Sequence, residues 1–229
     1  MSFANQKLVD FDSKSLLISA AAIAFNPTFW NIVARREYRT HFLTRAFGGN
    51  ARRACYALAA TIFSLGLIRD GLYERALRHQ PTHPALEGPL PTYIGYALLA
   101  VGNILVISST WALGITGTFL GDYFGILMDH MVTGFPFNVT DAPMYYGSTM
   151  SFLGTALVFG KPAGILLTVW VLFVYLVALR FENPFTAGIY AKREQERAAA
   201  KAGGSSAAGS KSFAQVAKEN KPNQGKKDL

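Results

Sequence analysis

Between Gly117 and Lys161 an otherwise apolar stretch carries Asp122, Asp129, His130, Asp141 and Tyr146. Carboxylates, an imidazole and a phenol in such a setting can take up or hand on a proton. Asp122 is the first candidate for a general base, and Tyr146 is the second catalytic candidate. Both have structural alternatives, since Asp122 can equally cap or pack a helix and His130 can sit at a membrane surface. Phe119, Tyr123, Phe124, Tyr145 and Tyr146 are suited to surround a cation with their ring faces, or to form an aromatic belt at a membrane interface. Cys55 is the only cysteine of the chain, so an intrachain disulfide and cysteine-based zinc sites are excluded, and no metal site is expected.

The elements that must position these residues are helices in a bilayer. The chain has 229 residues, 51% hydrophobic and 16% charged, against roughly 25% charged in an ordinary soluble domain. The apolar residues gather into runs approaching the ~20 needed to cross a membrane. Ser15–Val33 is interrupted by Asn26-Pro27, and proline removes a helix hydrogen bond, so it reads as a kinked span or a helix that dips in. Ala54–Ile68 lies between Arg52-Arg53 and Arg69-Asp70, Tyr93–Ile115 is a clean span, and Pro162–Leu179 stops at Arg180. Thr118–Met131 and Met144–Phe159 read as interfacial or re-entrant pieces joined by turns at Phe135-Pro136-Phe137 and Asp141-Ala142-Pro143. The fold class is therefore an all-α integral membrane protein with three or four transmembrane helices. A membrane-embedded domain at 1–190 precedes a basic tail at 191–229, expected to lack fixed structure from Ala198 onward. The N-terminal residues do not read as a removable signal peptide.

The formal net charge is +8, and the segment from Lys192 onward contributes nine Lys/Arg against four Asp/Glu. No nucleic-acid recognition motif accompanies this charge. It fits the positive-inside bias and attraction to anionic lipid.

The run Gly117-Thr118-Phe119-Leu120-Gly121-Asp122-Tyr123-Phe124-Gly125-Ile126-Leu127 resembles the phosphatidylethanolamine N-methyltransferase family. Phe135-Pro136-Phe137-Asn138, Pro143 to Thr149 and Pro184-Phe185-Thr186-Ala187 carry the same resemblance, as do Phe25 to Asn31 and Arg45-Ala46-Phe47-Gly48. Within the family the chain is most similar to the fungal type that performs the last two methylations. The resemblance implies methyl transfer from S-adenosylmethionine to the amine of a phospholipid in the bilayer. It implies a donor site made by a Gly-x-Gly, here Ala100-Val101-Gly102, and an acidic pair, here Glu182-Asn183. One residue of each motif departs from the pattern. Gly102 lets a ligand or another helix approach its backbone, and Glu182 offers a carboxylate to hydroxyls or an amino group. Helix packing and a solvated helix end are the alternative roles. Related acceptors, a prenylated cysteine carboxylate or a sterol-like lipid, are rival readings, and a non-enzymatic membrane scaffold is a more distant one. Transport is disfavoured, because Tyr93–Ile115 and Pro162–Leu179 contain no charged residue.

A single donor site touching Gly102 and Glu182 implies that the chain between them crosses the bilayer an even number of times. The expectation is then a non-crossing Gly117–Lys161 region, a cytosolic C-terminus, and a cytosolic Asp70–Thr92 loop. Arg35, Arg36, Arg39, Arg45, Arg52 and Arg53 would fall on the other side, against the positive-inside rule. Lys226-Lys227-Asp228-Leu229 resembles an endoplasmic reticulum retrieval signal, so an endoplasmic reticulum membrane is expected, with a mitochondrial membrane as the alternative. Asn138-Val139-Thr140 is a glycosylation sequon close to the membrane.

Overall fold

The computed structural model describes residues 7–129 and 132–219, with side chains to residue 200. The helices are α1 (Lys14–Thr40), α2 (Phe42–Ala46), α3 (Ala51–Arg78), α4 (Pro89–Thr118), α5 (Pro143–Val158) and α6 (Pro162–Glu219). Short 3-10 turns lie at Pro84–Leu86 and Gly121–Phe124. No strand occurs among the described residues. Four segments are long and apolar enough to cross a membrane: Lys14–Thr40, Ala51–Arg78, Pro89–Phe124 and Pro162–Ala200. Helices are what a bilayer demands, because only they satisfy every backbone group within one segment.

α1 continues unbroken through Pro27 for 27 residues, so the interruption expected at Asn26-Pro27 does not end it. Near the proline, Thr28 Oγ1 and Asn31 Nδ2 bond backbone carbonyls one turn back, at 2.8 and 3.0 Å. After His41, which adopts a left-handed φ of 50°, the chain turns into α2. The wholly buried Glu37 carboxylate holds this corner, accepting from the Leu43 N–H at 2.7 Å and the Thr44 hydroxyl at 2.5 Å.

The bundle has two ends. At one, Asp10 and Gln80 exchange two hydrogen bonds of 2.8 and 2.9 Å. Lys161 Nζ donates to the Gln80 carbonyl at 2.6 Å, and His83 N–H to Gly160 O at 3.2 Å. At the other, Arg35 donates to Phe181 O at 2.7 Å and Tyr38 packs edge-on to Tyr123. Each long helix therefore runs from one end to the other, and α5 does so too, antiparallel to α4. Its 16 residues span ~24 Å at ~1.5 Å per residue.

The register of α4 against α5 is set by two glycine pairs. A Cβ on Gly95 would come within 2.7 Å of Gly154 O, and one on Gly102 within 2.5 Å of Gly147 O. Both pairs repeat at seven residues, two turns, so the contact stays on one face of each helix. Beside this pair, Leu16 and Ile23 of α1, Tyr73 and Leu77 of α3, Phe152 of α5 and Val171 of α6 form a buried core. Tyr73 donates its hydroxyl to Phe152 O at 2.8 Å.

This arrangement corrects the expected topology. Gly117–Lys161 does not stay on one side, because α5 returns along α4. The loop after α3 lies at the opposite end from Glu182, and the six arginines from Arg35 to Arg53 lie at the Glu182 end. Gly102 is 13 residues into α4, since that helix starts at Pro89 and not at Tyr93. It therefore sits in the depth of the bundle, and the even-crossing argument loses its premise.

The chain divides into compact units at Asn183–Pro184. α6 is helical to Glu219. Lys226 to Leu229 lie outside the described residues.

The glycine contacts generate a stability test. Gly154→Val places a branched side chain against the α4 backbone and is expected to cost about 1–3 kcal/mol or more through overpacking. Gly66→Ala, where nothing lies within 4 Å of the added carbon, should be neutral or stabilise by up to about 1 kcal/mol through helix propensity. Unfolding of the detergent-solubilised protein reads both.

Candidate active site

Glu182 ends the apolar part of α6, and its carboxylate is not left to solvent. Oε1 accepts from Trp30 Nε1 at 2.8 Å and from Asn31 Nδ2 at 2.6 Å. Oε2 accepts from the Tyr145 hydroxyl. Three helices converge on one anion: α1 through adjacent residues, α5 through its first turn, and α6. A carboxylate offers about four acceptor positions, so three donors leave it one. The Asn31 Oδ1 beside it is buried and has no hydrogen-bond partner, and one turn back along α1 the buried Asn26 Nδ2 has none either. Leaving a buried group unpaired costs about 1–3 kcal/mol, so Asn31 Oδ1 is an acceptor open to a partner beside Glu182.

Aromatic rings extend the site. Tyr145 meets Tyr175 of α6 edge-on, with centroids 4.8 Å apart. Tyr175 in turn accepts from Arg69 Nη1 at 2.5 Å. Tyr123, buried in the 3-10 turn after α4, lies within electrostatic reach of Tyr145.

The residues singled out in the sequence are brought together only in part. Gly102 faces α5, and the space beside its backbone is taken by Gly147 and Ser151. Gly147 stands two residues after Tyr145, so Gly102 bears on Glu182 through the seating of α5. Ala100 and Val101 are exposed on α4, and Asn183 is exposed beside Glu182. Asp122 is half-buried in the turn next to Tyr123, within electrostatic reach of Cys55. Tyr146 is half-buried, and its side chain enters no hydrogen bond or ring contact among the described residues. It is its neighbour Tyr145 that reaches Glu182. Asp141 is exposed, and His130 lies outside the described residues.

The phospholipid methyltransferase family matches residues 90–193. The phosphatidyl-N-methylethanolamine N-methyltransferase of Neurospora crassa is 78% identical over 84% of this chain and 90% of its own length. The chain belongs to the phospholipid methyltransferase family. The Saccharomyces cerevisiae protein of the same name is 58% identical over 82% of this chain and 91% of its own. Human phosphatidylethanolamine N-methyltransferase is 48% identical over 81% of this chain and 92% of its own. No solved structure matches the chain. As a phospholipid methyltransferase it is an enzyme, and its long apolar helices embed it in the membrane.

Sequence reasoning missed Trp30, Asn31 and Tyr145 as a unit. The signal available was their presence inside the family-like runs Phe25 to Asn31 and Pro143 to Thr149, but nothing in one dimension joins position 30 to 145 and 182.

Tyr145→Phe removes a charge-assisted hydrogen bond and is expected to lower methyl transfer about 10-fold or more. Gly102→Ala, which displaces α5, should lower it through the same contact. Initial rates with purified variants check both, and a Tyr145→Phe enzyme at the wild-type rate would remove Tyr145 from the site.

Proposed function

We propose that the enzyme transfers a methyl group from S-adenosylmethionine to the amine of phosphatidyl-N-methylethanolamine, then to that of the dimethyl lipid, giving phosphatidylcholine. The observation that carries this is the fastened Glu182 carboxylate beside the orphaned Asn31 carbonyl oxygen. The donor's ribose hydroxyls and ammonium need acceptors, so these groups fit it. The names of the fungal relatives support the acceptor.

When bound, S-adenosylmethionine supplies the methyl group on a sulfonium centre. Glu182 and Asn31 fix the position of its polar groups, and the open edge of α4 at Ala100 and Val101, with Asn183, offers further contact. Gly102 seats α5, which presents Tyr145 to Glu182. The rate gain from such a site is chiefly alignment of nucleophile and methyl group. The attacking amine must be neutral, so a proton has to leave. Asp122 is proposed to take it, as a half-buried carboxylate in the turn that also carries Tyr123. The role first assigned to Tyr146 is proposed only as a lining one.

Orientation follows from charge. The arginines of the α1–α3 corner share an end with Glu182, and the positive-inside rule puts that end in the cytosol, where the donor is made. We place the protein in the endoplasmic reticulum membrane, with the start of the tail leaving on the cytosolic face.

Radiolabelled methyl transfer to the unmethylated, monomethyl and dimethyl acceptors, offered separately, tests the reaction. Incorporation into the monomethyl and dimethyl lipids is expected, and none with any ethanolamine phospholipid would overturn the proposal. Glu182→Ala should raise the donor KM and Kd about 100-fold, the scale for a charged group with several bonds. In sealed microsomes an impermeant thiol reagent should label Arg45→Cys and spare Glu87→Cys until the membrane is opened. The opposite pattern sinks the orientation.

A further inference from the structure

Arg69 lies inside α3, nine residues before the helix ends at Arg78, or ~14 Å at ~1.5 Å per residue. Its side chain is only 11% exposed. A guanidinium within a spanning helix is expensive, and such groups serve a ligand, a partner or a pathway. Its surroundings are built around it. The guanidinium lies over the Phe152 ring, 5.1 Å from the centroid, and Nη1 donates to the Tyr175 hydroxyl at 2.5 Å. Asp70 receives Nε at 3.0 Å and Nη2 at 2.9 Å, both on the single oxygen Oδ1. Of five N–H groups, two donate hydrogen bonds, to Tyr175 and Asp70, and Nη2 lies at ion-pair distance from the same Asp70 oxygen. The Asp70 side chain is itself 54% exposed. Pairing through one oxygen of a half-exposed carboxylate is not the two-oxygen fork in which arginine binds most strongly.

The position of Arg69 says what the free edge serves. Its partner Tyr175 packs against Tyr145, which donates to Glu182, so two tyrosines link Arg69 to the proposed donor site. A charged edge of α3 runs from Asp70 through Glu74 to Arg78, at one-turn steps, with all three side chains exposed by about half or more.

We propose that Arg69 binds the phosphodiester of the acceptor lipid. The inference rests on the reading of the acceptor as an ethanolamine phospholipid, in which an anionic phosphate sits two carbons from the reacting amine. With the phosphate on the free guanidinium edge, the amine lies beside the Tyr175 and Tyr145 rings. Ring faces favour the ammonium more as methyl groups spread its charge. Arg69 is thereby a specificity determinant, distinguishing an amine on a phosphodiester from the same amine on a neutral lipid.

The experiment compares two acceptors: phosphatidyl-N-methylethanolamine, and a diacylglycerol carrying the same N-methylaminoethyl group through an uncharged ether. Wild type, Arg69→Gln and Arg69→Lys are assayed in the same mixed micelles, with donor KM measured for each. Arg69→Gln is expected to lose about 10- to 100-fold in kcat/KM on the phosphodiester, the range for a hydrogen-bonded charge, chiefly through KM. It should change little on the ether and leave the donor KM in place. Arg69→Lys, which keeps the charge without the fork, should fall between and provides the test if the glutamine variant does not fold. An equal loss on both acceptors, or no loss on the phosphodiester, overturns the inference while the proposed function stands. A wild type inactive on both acceptors sinks the proposed function and this inference with it.

Discussion

The close contact of α4 with α5 is the constraint on which the rest depends. Inside a bilayer there is no hydrophobic gain from bringing two apolar helices together, so association relies on fit and polar contacts. Gly95 with Gly154 and Gly102 with Gly147 let the two backbones approach to a separation that no side chain would permit. That approach fixes the height of α5, and the height of α5 fixes Tyr145. With Tyr145 in place, Glu182 is held from three sides. A glycine that looks like a ligand contact in the sequence thus acts at one remove, through the helix it admits.

Much of the fold was legible because its cause is local. Apolar runs bounded by arginines mark helices in a bilayer whatever lies next to them, and Ala54–Ile68 and Pro162–Leu179 fall inside α3 and α6. Of the two readings at Asn26-Pro27, the spanning one agrees with the structure, because α1 continues through the proline and is long and apolar enough to cross. Met144–Phe159 was the hard case: its glycines, serines and threonines make it weakly hydrophobic, and those same residues are what pack it to α4. Composition alone cannot separate a helix that lies in the interface from one that is covered by a neighbour.

The candidate site was legible at its anchor and illegible at its partners. Glu182 stands out as an ionisable residue at the end of a span, and the family-like acidic pair drew attention to it. Trp30 and Asn31 lie 152 and 151 positions away, and only the folded bundle brings them to it. Arg69 was taken as a boundary marker of a span, since an arginine after fifteen apolar residues usually is one. Its burial comes from α3 continuing for nine more residues and from Phe152 and Tyr175 closing over it. The arginines at positions 35 to 53 were placed at the wrong end for a similar reason, because the antiparallel return of α5 puts them at the end of the bundle that holds Glu182.

Because the Glu182 carboxylate is fastened by the first, fifth and sixth helices, it is also a statement about biogenesis. A chain emerging from the ribosome inserts α1 first, and Trp30 and Asn31 then wait in the bilayer for an acceptor that is synthesised last. No prefix of the polypeptide that stops short of residue 182 contains the complete cluster. The cluster therefore cannot form piecemeal during synthesis: it is complete only once the final membrane helix has been made.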